Sequence, residues 1–596
     1  MRRRRRHSYA LGNQRTVYKG RLPRNLPGIP APDGLTGARV PGAPGGARPS
    51  ATTQGTSRRG LGTATAYVAA GTLFSRVTGL LRILVAIYAL GYSSLSDSFN
   101  LANNTPNIVH DLVLGGILTA TFVPVFVSRL ATRSEKEAVD SISAVLTLAA
   151  CVLVGATVVF FLAAPYIIDL YTVGSHGPAI AQERQVATDL LRLFSPQLLA
   201  YGAISLMTAV LNTARRFSAP AFTPILNNVV AIAILLAFAA IGHTHSLSQV
   251  HNDHRLLLLL GVGTTLGVVI QALALVPSVL SCGLPIRPRW RPDDPAVREI
   301  VRLSGWTFGF VLANQLAVFV VSAIAVSIGS ATLTAYTYAS IFFQLPFGIV
   351  AVSVMTTIAP VLASRFTRGD KAGFAQHFGL GLRRMLAGVI PAVVGYLLLA
   401  KPAISLISLG AGHGAGGAHL TATMLELLAL GLPGFCTYLL VILAFQAMRD
   451  TRTPFFLYLL ENGLNILLAL VFRNSLGGKG LALSLTIAYS VAAVAALAVL
   501  RARVGGLGGT VVARYVGRTV ICSLVMAFVV ALVLAGVGSD QGVGLLERVV
   551  AGVVAGVASY ALAAGLAGSL VGWQTSNQRR LSAGKGAHGR GKSRNR

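Results

Sequence analysis

The sequence predicts an all-α polytopic membrane protein with 14 transmembrane helices, arranged as two pseudo-symmetric six-helix lobes plus two C-terminal helices. Three observations predict this class. Hydrophobic residues make up 54% of the chain and charged residues 12%, whereas soluble domains carry about 25% charged residues. Apolar runs of about 20 residues, the length that spans a bilayer, recur along the chain. Two pairs of segments also repeat at a spacing of 234–236 residues.

Each predicted helix is a mostly apolar segment between polar or basic residues. The spans near 97–128 and 330–364 exceed a straight crossing, so we expect these two helices to tilt, kink or extend beyond the bilayer. The predicted spans are 64–90, 97–128, 140–172, 188–212, 220–242, 255–282, 297–326, 330–364, 374–409, 422–448, 454–472, 480–500, 513–536 and 545–572.

Basic residues alternate between the loops that join these spans. The first, third and later alternate loops hold only Arg184, Arg473 and Lys479, whereas the other loops hold 15 Lys and Arg residues, with Arg298 just inside the next span. The positive-inside rule therefore predicts a multi-pass protein with both termini in the cytoplasm, which requires an even number of spans.

The internal repeat predicts the lobes. ATFVPVFVSRL around Pro124 resembles TTIAPVLASRF around Pro360, and ARRFSAPAFTPILNN around Pro220 resembles MRDTRTPFFLYLLEN around Pro454. This offset covers six helices, so the two copies share one membrane orientation, and a substrate site is expected between them. The predicted organisation is an N-lobe at 61–282, a C-lobe at 283–502 and two extra helices within 503–572.

Basic tails flank the predicted spans. Residues 1–60 hold 13 of the 50 Lys and Arg residues against one acid, and residues 573–596 hold seven and no acid. Both segments lack apolar periodicity, so we predict disordered cytoplasmic tails. Beside a membrane span, such tails favour anionic lipid rather than nucleic acid as the partner.

Enzyme and metal motifs are absent from the sequence. There is no Walker loop, HExxH, GxSxG or glycine fingerprint after a strand. The four cysteines lie in apolar segments without a CxxC pair. The sequence therefore predicts a transporter with no catalytic residue, no cofactor and no metal site.

Two arginines in the first span, Arg76 and Arg82, are candidate cavity residues. Charges at this depth are costly and usually face a cavity or a partner. Six residues apart, they lie about 120° from each other on an ideal helix, so both face inward only with a bend at Gly79 or a wide polar cavity. In the alternative, Arg82 reaches an interface and Arg76 pairs with a buried acid.

The second span is unusually polar. Asp97 at its start is either an N-cap or a cavity residue. Asn107 either satisfies backbone groups freed by Pro106 or lines a cavity. His110 and Asp111 fall deeper, which favours a cavity or ion-pair role.

Later spans hold three further candidates. Glu461 and Asn465, one turn apart on the eleventh span, either bind a coupling cation or hold a protonated carboxyl against a neighbouring helix. Arg383 in the ninth span is either a cavity residue or an interfacial anchor.

Segments in both halves resemble the MurJ/MviN family of lipid II flippases. They are SRVTGLLR (75–82), DSFNLANNTPNIV (97–109), GGILTATFVPVFVSRL (115–130), LPFGIVAVSVMTTIAPVLASRF (345–366) and AFQAMRDTRTP (444–454), and the resemblance runs from about 62 to 572. It implies a bacterial plasma-membrane transporter of the MOP/MATE-like exporter superfamily. Its cargo would be lipid II, the undecaprenyl-diphosphate-linked peptidoglycan precursor, moved from the inner to the outer leaflet. The last two helices would form a groove for the lipid tail.

The resemblance also implies roles for single residues. Arg76, Arg82 and Arg383 match cavity arginines that hold the anionic head group, and Asp97 matches a functionally important acid. His110 stands where many relatives have arginine, and it joins Asn107 as a candidate substrate-binding residue.

This chain also lacks the charges that relatives carry in the eighth span near Ile341. Head-group binding is therefore expected to use fewer cations, or His110 in its protonated form.

Three questions stay open from the sequence. The cargo is lipid II or, alternatively, that of a MATE-like or polysaccharide-lipid exporter. The chain transports by alternating access or is a non-transporting scaffold for cell-wall synthesis proteins. Transport is driven by the membrane potential or by a monovalent cation at Glu461.

Overall fold

The computed structural model is built almost wholly of α-helices. It describes residues 55–115, 125–126, 134–175, 180–214, 216–241, 246–283, 285, 287–409, 415–539 and 542–589, and no strand occurs among them. Thirteen helices in these ranges are long and apolar enough to cross a membrane. The predicted all-α polytopic fold class is confirmed.

Short connections join the successive helices. The first half contains α1 (Gly55–Leu90), α2 (Ser94–His110), α3 (Glu135–Tyr171), α4 (Ile180–Thr213), α5 (Ser218–Ile241), α6 (Leu247–Asn252) and α7 (His254–Leu280). The second half contains α8 (Pro295–Ile328), α9 (Thr332–Pro346), α10 (Val352–Thr367), α11 (Lys371–Ile407), α12 (Ala415–Ala447), α13 (Arg452–Leu476) and α14 (Gly478–Val504). The chain continues with α15 (Gly509–Gly536) and α16 (Gly542–Gly589).

One predicted span is only partly described, and both predicted tails include helical residues, since α1 begins at Gly55. The second predicted span begins with α2, and its residues 116–124 and 127–128 lie outside the described residues. At the C-terminus, α16 runs to Gly589, so residues 573–589 are helical where the sequence predicts a disordered tail. No proline interrupts residues 573–589, which combine good helix formers (Gln, Arg, Leu and Ala) with three glycines. Residues 1–54 and 590–596 of the predicted tails lie outside the described ranges.

Two π-helices occur in the two spans that were predicted to tilt or kink. The first, π1 (Asp111–Gly115), follows α2, and the second, π2 (Phe347–Ala351), joins α9 to α10. They begin 236 residues apart, which equals one of the offsets of the sequence repeat. Single π-helical turns inside longer helices are rare and occur frequently at functional sites.

The described side chains pack around two main hydrophobic cores. One lies in the second half among α9, α11, α12 and α14. The other joins α2, α4 and α7 and extends to α8. Glycine allows α12 and α14 to pack closely. A Cβ added to Gly434 on α12 would lie only 3.0 Å from the Cα of Ser490 on α14. The buried apolar side chains therefore come mostly from one half of the chain in each core.

A tyrosine on α11 satisfies a backbone carbonyl that a proline leaves without a partner. Pro346 has no amide hydrogen, so the Phe342 carbonyl lacks its usual donor four residues later. The Tyr396 hydroxyl donates to this carbonyl. Because an unsatisfied backbone group in an apolar interior is costly, this bond stabilises the packing of α9 on α11.

The same arrangement attaches α16 to the second half. The Tyr560 hydroxyl of α16 donates to the carbonyl of Ala387 on α11. Ala387 lies four residues before Pro391, so its carbonyl also lacks an intrahelical donor.

Replacing Tyr396 with Phe tests the first of these bonds. We expect the free energy of unfolding to fall by about 1 kcal/mol, because the variant keeps the ring and leaves the Phe342 carbonyl unsatisfied. The thermal unfolding midpoint in detergent measures this loss. Tyr166→Phe is the control, since that ring is 75% exposed on α3, and equal midpoints for both variants would contradict the assignment.

Candidate functional site

The start of α2 contacts the start of α9. This contact lies at the end of the helix bundle where α1 ends, and we call that end of the bundle the Ser93 end. The Ser93 hydroxyl caps α2 by accepting from the Ser96 amide at 3.2 Å. Asp97 instead reaches α9, where its Oδ1 accepts from the Thr334 amide at 2.8 Å and the Thr334 hydroxyl at 2.6 Å. Asp97 therefore caps α9 and not its own helix.

The N-terminus of α9 lacks a side-chain cap of its own. Its N-cap residue, Ala331, has a φ of 64°, a left-handed conformation that costs a non-glycine residue about 1–2 kcal/mol. The first amides of a helix have no intrahelical partner and favour a negative charge nearby. Ser94 donates to Ser330 at 3.0 Å, and Asn100 donates to Thr334 at 3.2 Å. These bonds make a polar contact between the halves of the chain.

A chain of hydrogen bonds joins α4 to α8 just after the end of α2. His110 Nε2 lies 3.0 Å from Ser205 Oγ, and its Nδ1 lies 3.2 Å from Asp111 Oδ1. Gln315 Nε2 of α8 donates to Asp111 Oδ2 at 3.0 Å. Both carboxylate oxygens of Asp111, the first residue of π1, are therefore engaged, and one bond crosses between the halves.

Arg82 and Asn107 lie beside this chain of hydrogen bonds. Tyr201 lies near Asn107 and within electrostatic range of Arg82, and its ring centroid is 6.0 Å from that of His110. Asn107 Nδ2 donates to the Asn103 carbonyl at 3.3 Å, so this side chain also serves its own helix backbone. Arg82 is half-buried and has no ion pair with any carboxylate that the structure describes.

Arg76 and Arg383 lie apart from Arg82. The α1 helix is unbroken, which keeps Arg76 and Arg82 on different faces. The Arg76 guanidinium contacts Gly348 in π2. Arg76 is exposed on α1 and Arg383 is half-buried on α11, and none of the three predicted cavity arginines lines either of the two cavities described next. The predicted cavity arginines thus do not form one cluster.

Two cavities between helices share Asn314 of α8 in their walls. The smaller has a volume of about 270 Å³, and Asp111, Gln315 and Tyr458 line it. The larger has a volume of about 440 Å³ and is enclosed by α2, α8, α9, α12, α13 and α14. Both cavities are partly polar and are lined mainly by the second half of the chain, to which the first half adds Asn104 in the larger cavity and Asp111 in the smaller one.

Glu461 and Asn465 line the larger cavity. Glu461 is 1% exposed, and its Oε2 has no hydrogen-bond partner among the described groups. Asn465 Oδ1 accepts from the Ser484 hydroxyl at 3.0 Å. The wall near Ile341 is uncharged and includes Ser340 of α9. Glu461 is the only carboxyl in the described lining of this cavity.

Acid–base pairs order the loops at the end opposite Ser93. Arg503 Nη1 lies 2.8 Å from Asp450 Oδ2, and Arg365 Nη1 lies 2.7 Å from Asp370 Oδ2. The Gly373 amide, and then the Arg365 guanidinium, hold the pKa of Asp370 below its usual range. These pairs involve loop and helix-end residues, and they lie away from the cavities.

Four residues of the candidate site were missed by the sequence interpretation: Gln315, Thr334 and Ser205, which make hydrogen bonds, and Asn314, which lines both cavities. Gln315 and Asn314 are adjacent amides within an apolar span, which is itself a signal for a polar contact. Thr334 lies 237 residues after Asp97, close to the repeat spacing. Ser205 carries no comparable signal.

Comparisons with known proteins agree with this architecture. The family described as "Lipid II flippase MurJ" matches residues 86–550. A probable lipid II flippase MurJ of Vibrio cholerae is 26% identical over 70% of this chain and 78% of its own length. The lipid II flippase MurJ of Burkholderia cenocepacia is 27% identical over 64% of this chain and 72% of its own length.

Solved structures share the fold. A lipid II flippase MurJ in an inward closed conformation superposes with a TM-score of 0.68 and 21% identity, over 84% of this chain and 98% of that chain. An inward-facing multidrug resistance MATE family transporter gives a TM-score of 0.60 and 15% identity, over 73% of this chain and 96% of that chain.

Proposed function

The chain belongs to the MurJ family of lipid II flippases, and we propose that it moves lipid II from the inner to the outer leaflet of a bacterial plasma membrane by alternating access. The family match over residues 86–550 carries this proposal. The two partly polar cavities, each lined by residues of both halves, support a polar cargo path through the bundle.

Polar contacts at both ends of α2 support an alternating-access mechanism. Asp97 binds Thr334 at the Ser93 end, and Asp111 binds Gln315 at the other end of α2. Both contacts join the halves of the chain, and in this mechanism each opens in turn to let the head group pass. Rigid-body rocking of packed halves breaks such contacts in turn.

The arginines of α1 suit an anionic cargo. A diphosphate is bound best by several charge-assisted donors, and the guanidinium group offers a planar fork of them. Arg76 and Arg82 have no ion pair among the described carboxylates, so their charges are available to the cargo. His110 is held by Asp111 and adds positive charge only when it is protonated.

Glu461 is the group we propose for coupling to a monovalent cation. A buried carboxyl with one unpartnered oxygen is costly unless it is protonated or binds a cation. The membrane potential is a further driving force, worth about 2.3 kcal/mol per charge for each 100 mV. With both termini in the cytoplasm, the Ser93 end faces outward and the basic loops face anionic lipid.

Lipid II exposed on the outer surface of cells depleted of their own flippase tests the function. We expect this chain to restore exposure and Arg82→Ala to reduce it about tenfold, since the diphosphate loses a charge-assisted partner. Arg192→Ala is the control, because that side chain lies over Phe161 on the outer part of the bundle. Failure of the wild-type chain to restore exposure would contradict the proposal.

The MATE-like fold leaves an exporter of other cargo as the second candidate. Such an exporter would leave lipid II inside depleted cells. A non-transporting scaffold would support growth equally well with Arg76→Ala and Arg82→Ala.

A further inference from the structure

Gly348 leaves space for a charged group from the other half of the chain. A Cβ added to this residue would collide with Arg76 Nη1 and lie 3.1 Å from Arg76 Cζ and 3.4 Å from Nη2. The contact with Nη1 is shorter than a real Cβ atom tolerates, so the guanidinium would have to move. The guanidinium therefore occupies its present place only because residue 348 has no side chain.

At Gly348, a larger residue would collide with the terminal atoms of the flexible Arg76 side chain. At Gly434 the added Cβ would instead meet the backbone of Ser490 at 3.0 Å, so the helices themselves would have to move. At Gly348 the guanidinium of Arg76 can swing away while the helices stay in place. A methyl group there changes the position of a charge more than it changes the fold.

The location of this contact ties it to transport. Gly348 is the second residue of π2, and Arg76 belongs to α1, so the contact crosses between the halves of the chain. Gln315 of α8 makes the corresponding cross-contact with Asp111 at the start of π1. Each π-helix is thus contacted by a polar side chain from the opposite half.

We propose that Gly348 is a positioning residue, which places the Arg76 guanidinium where it binds the diphosphate of the cargo. This inference rests on the proposed function, because the cargo supplies the anion. A side chain at residue 348 displaces the guanidinium, and displacing a charge-assisted donor by about 1 Å is enough to weaken its bond strongly.

A double-mutant cycle of Gly348→Ala and Arg76→Ala tests the proposal. Two readouts are used: lipid II exposed on depleted cells, and binding of inorganic pyrophosphate to the purified full-length protein. We expect each single variant to lower both readouts about tenfold, and the double variant to be no worse than Arg76→Ala, because both changes remove one interaction. Gly395→Ala is the control, since a Cβ there meets nothing within 4 Å.

The two readouts separate this inference from the proposed function. If pyrophosphate binding falls in both variants while lipid II exposure never depends on the chain, the positioning role stands and the cargo assignment fails. A further loss when Gly348→Ala is added to Arg76→Ala would overturn the positioning role, because a defect in helix packing does not need Arg76. Wild-type pyrophosphate binding by Gly348→Ala would overturn it as well.

Discussion

Replacing Asp97 with Ala is expected to lower lipid II transport at least tenfold. The change removes two hydrogen bonds to a carboxylate, each worth about 1.5–3 kcal/mol, and leaves the Thr334 amide at the start of α9 without its partner. A shift of about 1.4 kcal/mol already changes a conformational equilibrium tenfold. Lipid II exposed on depleted cells measures the effect.

A disulfide across the same contact separates gating from misfolding. Ser94 Oγ and Ser330 Oγ are 3.0 Å apart, so cysteines at these two positions should cross-link when the Ser93 end is closed. We expect a lower cross-linking yield with Asp97→Ala than with native Asp97. Thr334→Val, which keeps the amide donor, should show a smaller loss. Wild-type transport together with an unchanged yield would rule out the gating role of Asp97.

Replacing Glu461 with Gln is expected to cause the second large loss of transport. The change keeps the volume of the side chain and removes the only carboxyl in the described wall of the larger cavity. Transport should fall about tenfold and lose its dependence on monovalent cation, because an uncharged amide binds cations weakly. Lipid II exposure measured over a range of sodium concentrations checks this.

Stability provides an independent check on Glu461. A neutral amide costs less to bury than a carboxylate, so the thermal midpoint of Glu461→Gln should equal or exceed that of the wild type. Glu426→Gln is the control, since Glu426 pairs with an exposed Lys401 at 3.8 Å. If Glu461→Gln transports normally with an unaltered sodium response, Glu461 is a structural carboxyl and not a coupling site.

Much of the fold was predictable because membranes impose strict rules on sequence. Apolar length and basic-loop alternation depend on residue type alone, so they identified the class and most helix positions. The second span was harder, because its helix changes to π-helix at Asp111 and the residue pattern there does not record that change. Whether backbone hydrogen bonds follow the α- or the π-helix pattern does not change the hydropathy of the residues, so the sequence does not show it.

The contacts of the candidate site were only partly predictable. Asp97 and His110 were recognisable because charged and titratable groups are rare in such spans. Their partners Thr334 and Ser205 are common residues, and tertiary packing alone brings them within reach. The role of Gly348 could not be predicted from the sequence for the same reason, because it depends on a contact with Arg76 of α1, which is distant in sequence.

The equal placement of the two π-helices has an evolutionary consequence. Hydrogen-bond irregularities of this kind are rare, and two independent origins at one register, 236 residues apart, would require a coincidence. A single origin in an ancestral half-length chain, followed by gene duplication and fusion, accounts for both. The halves have since diverged, so that one copy now carries Asp111 and the other presents Gly348. The same irregular turn thus carries different side-chain chemistry in the two halves.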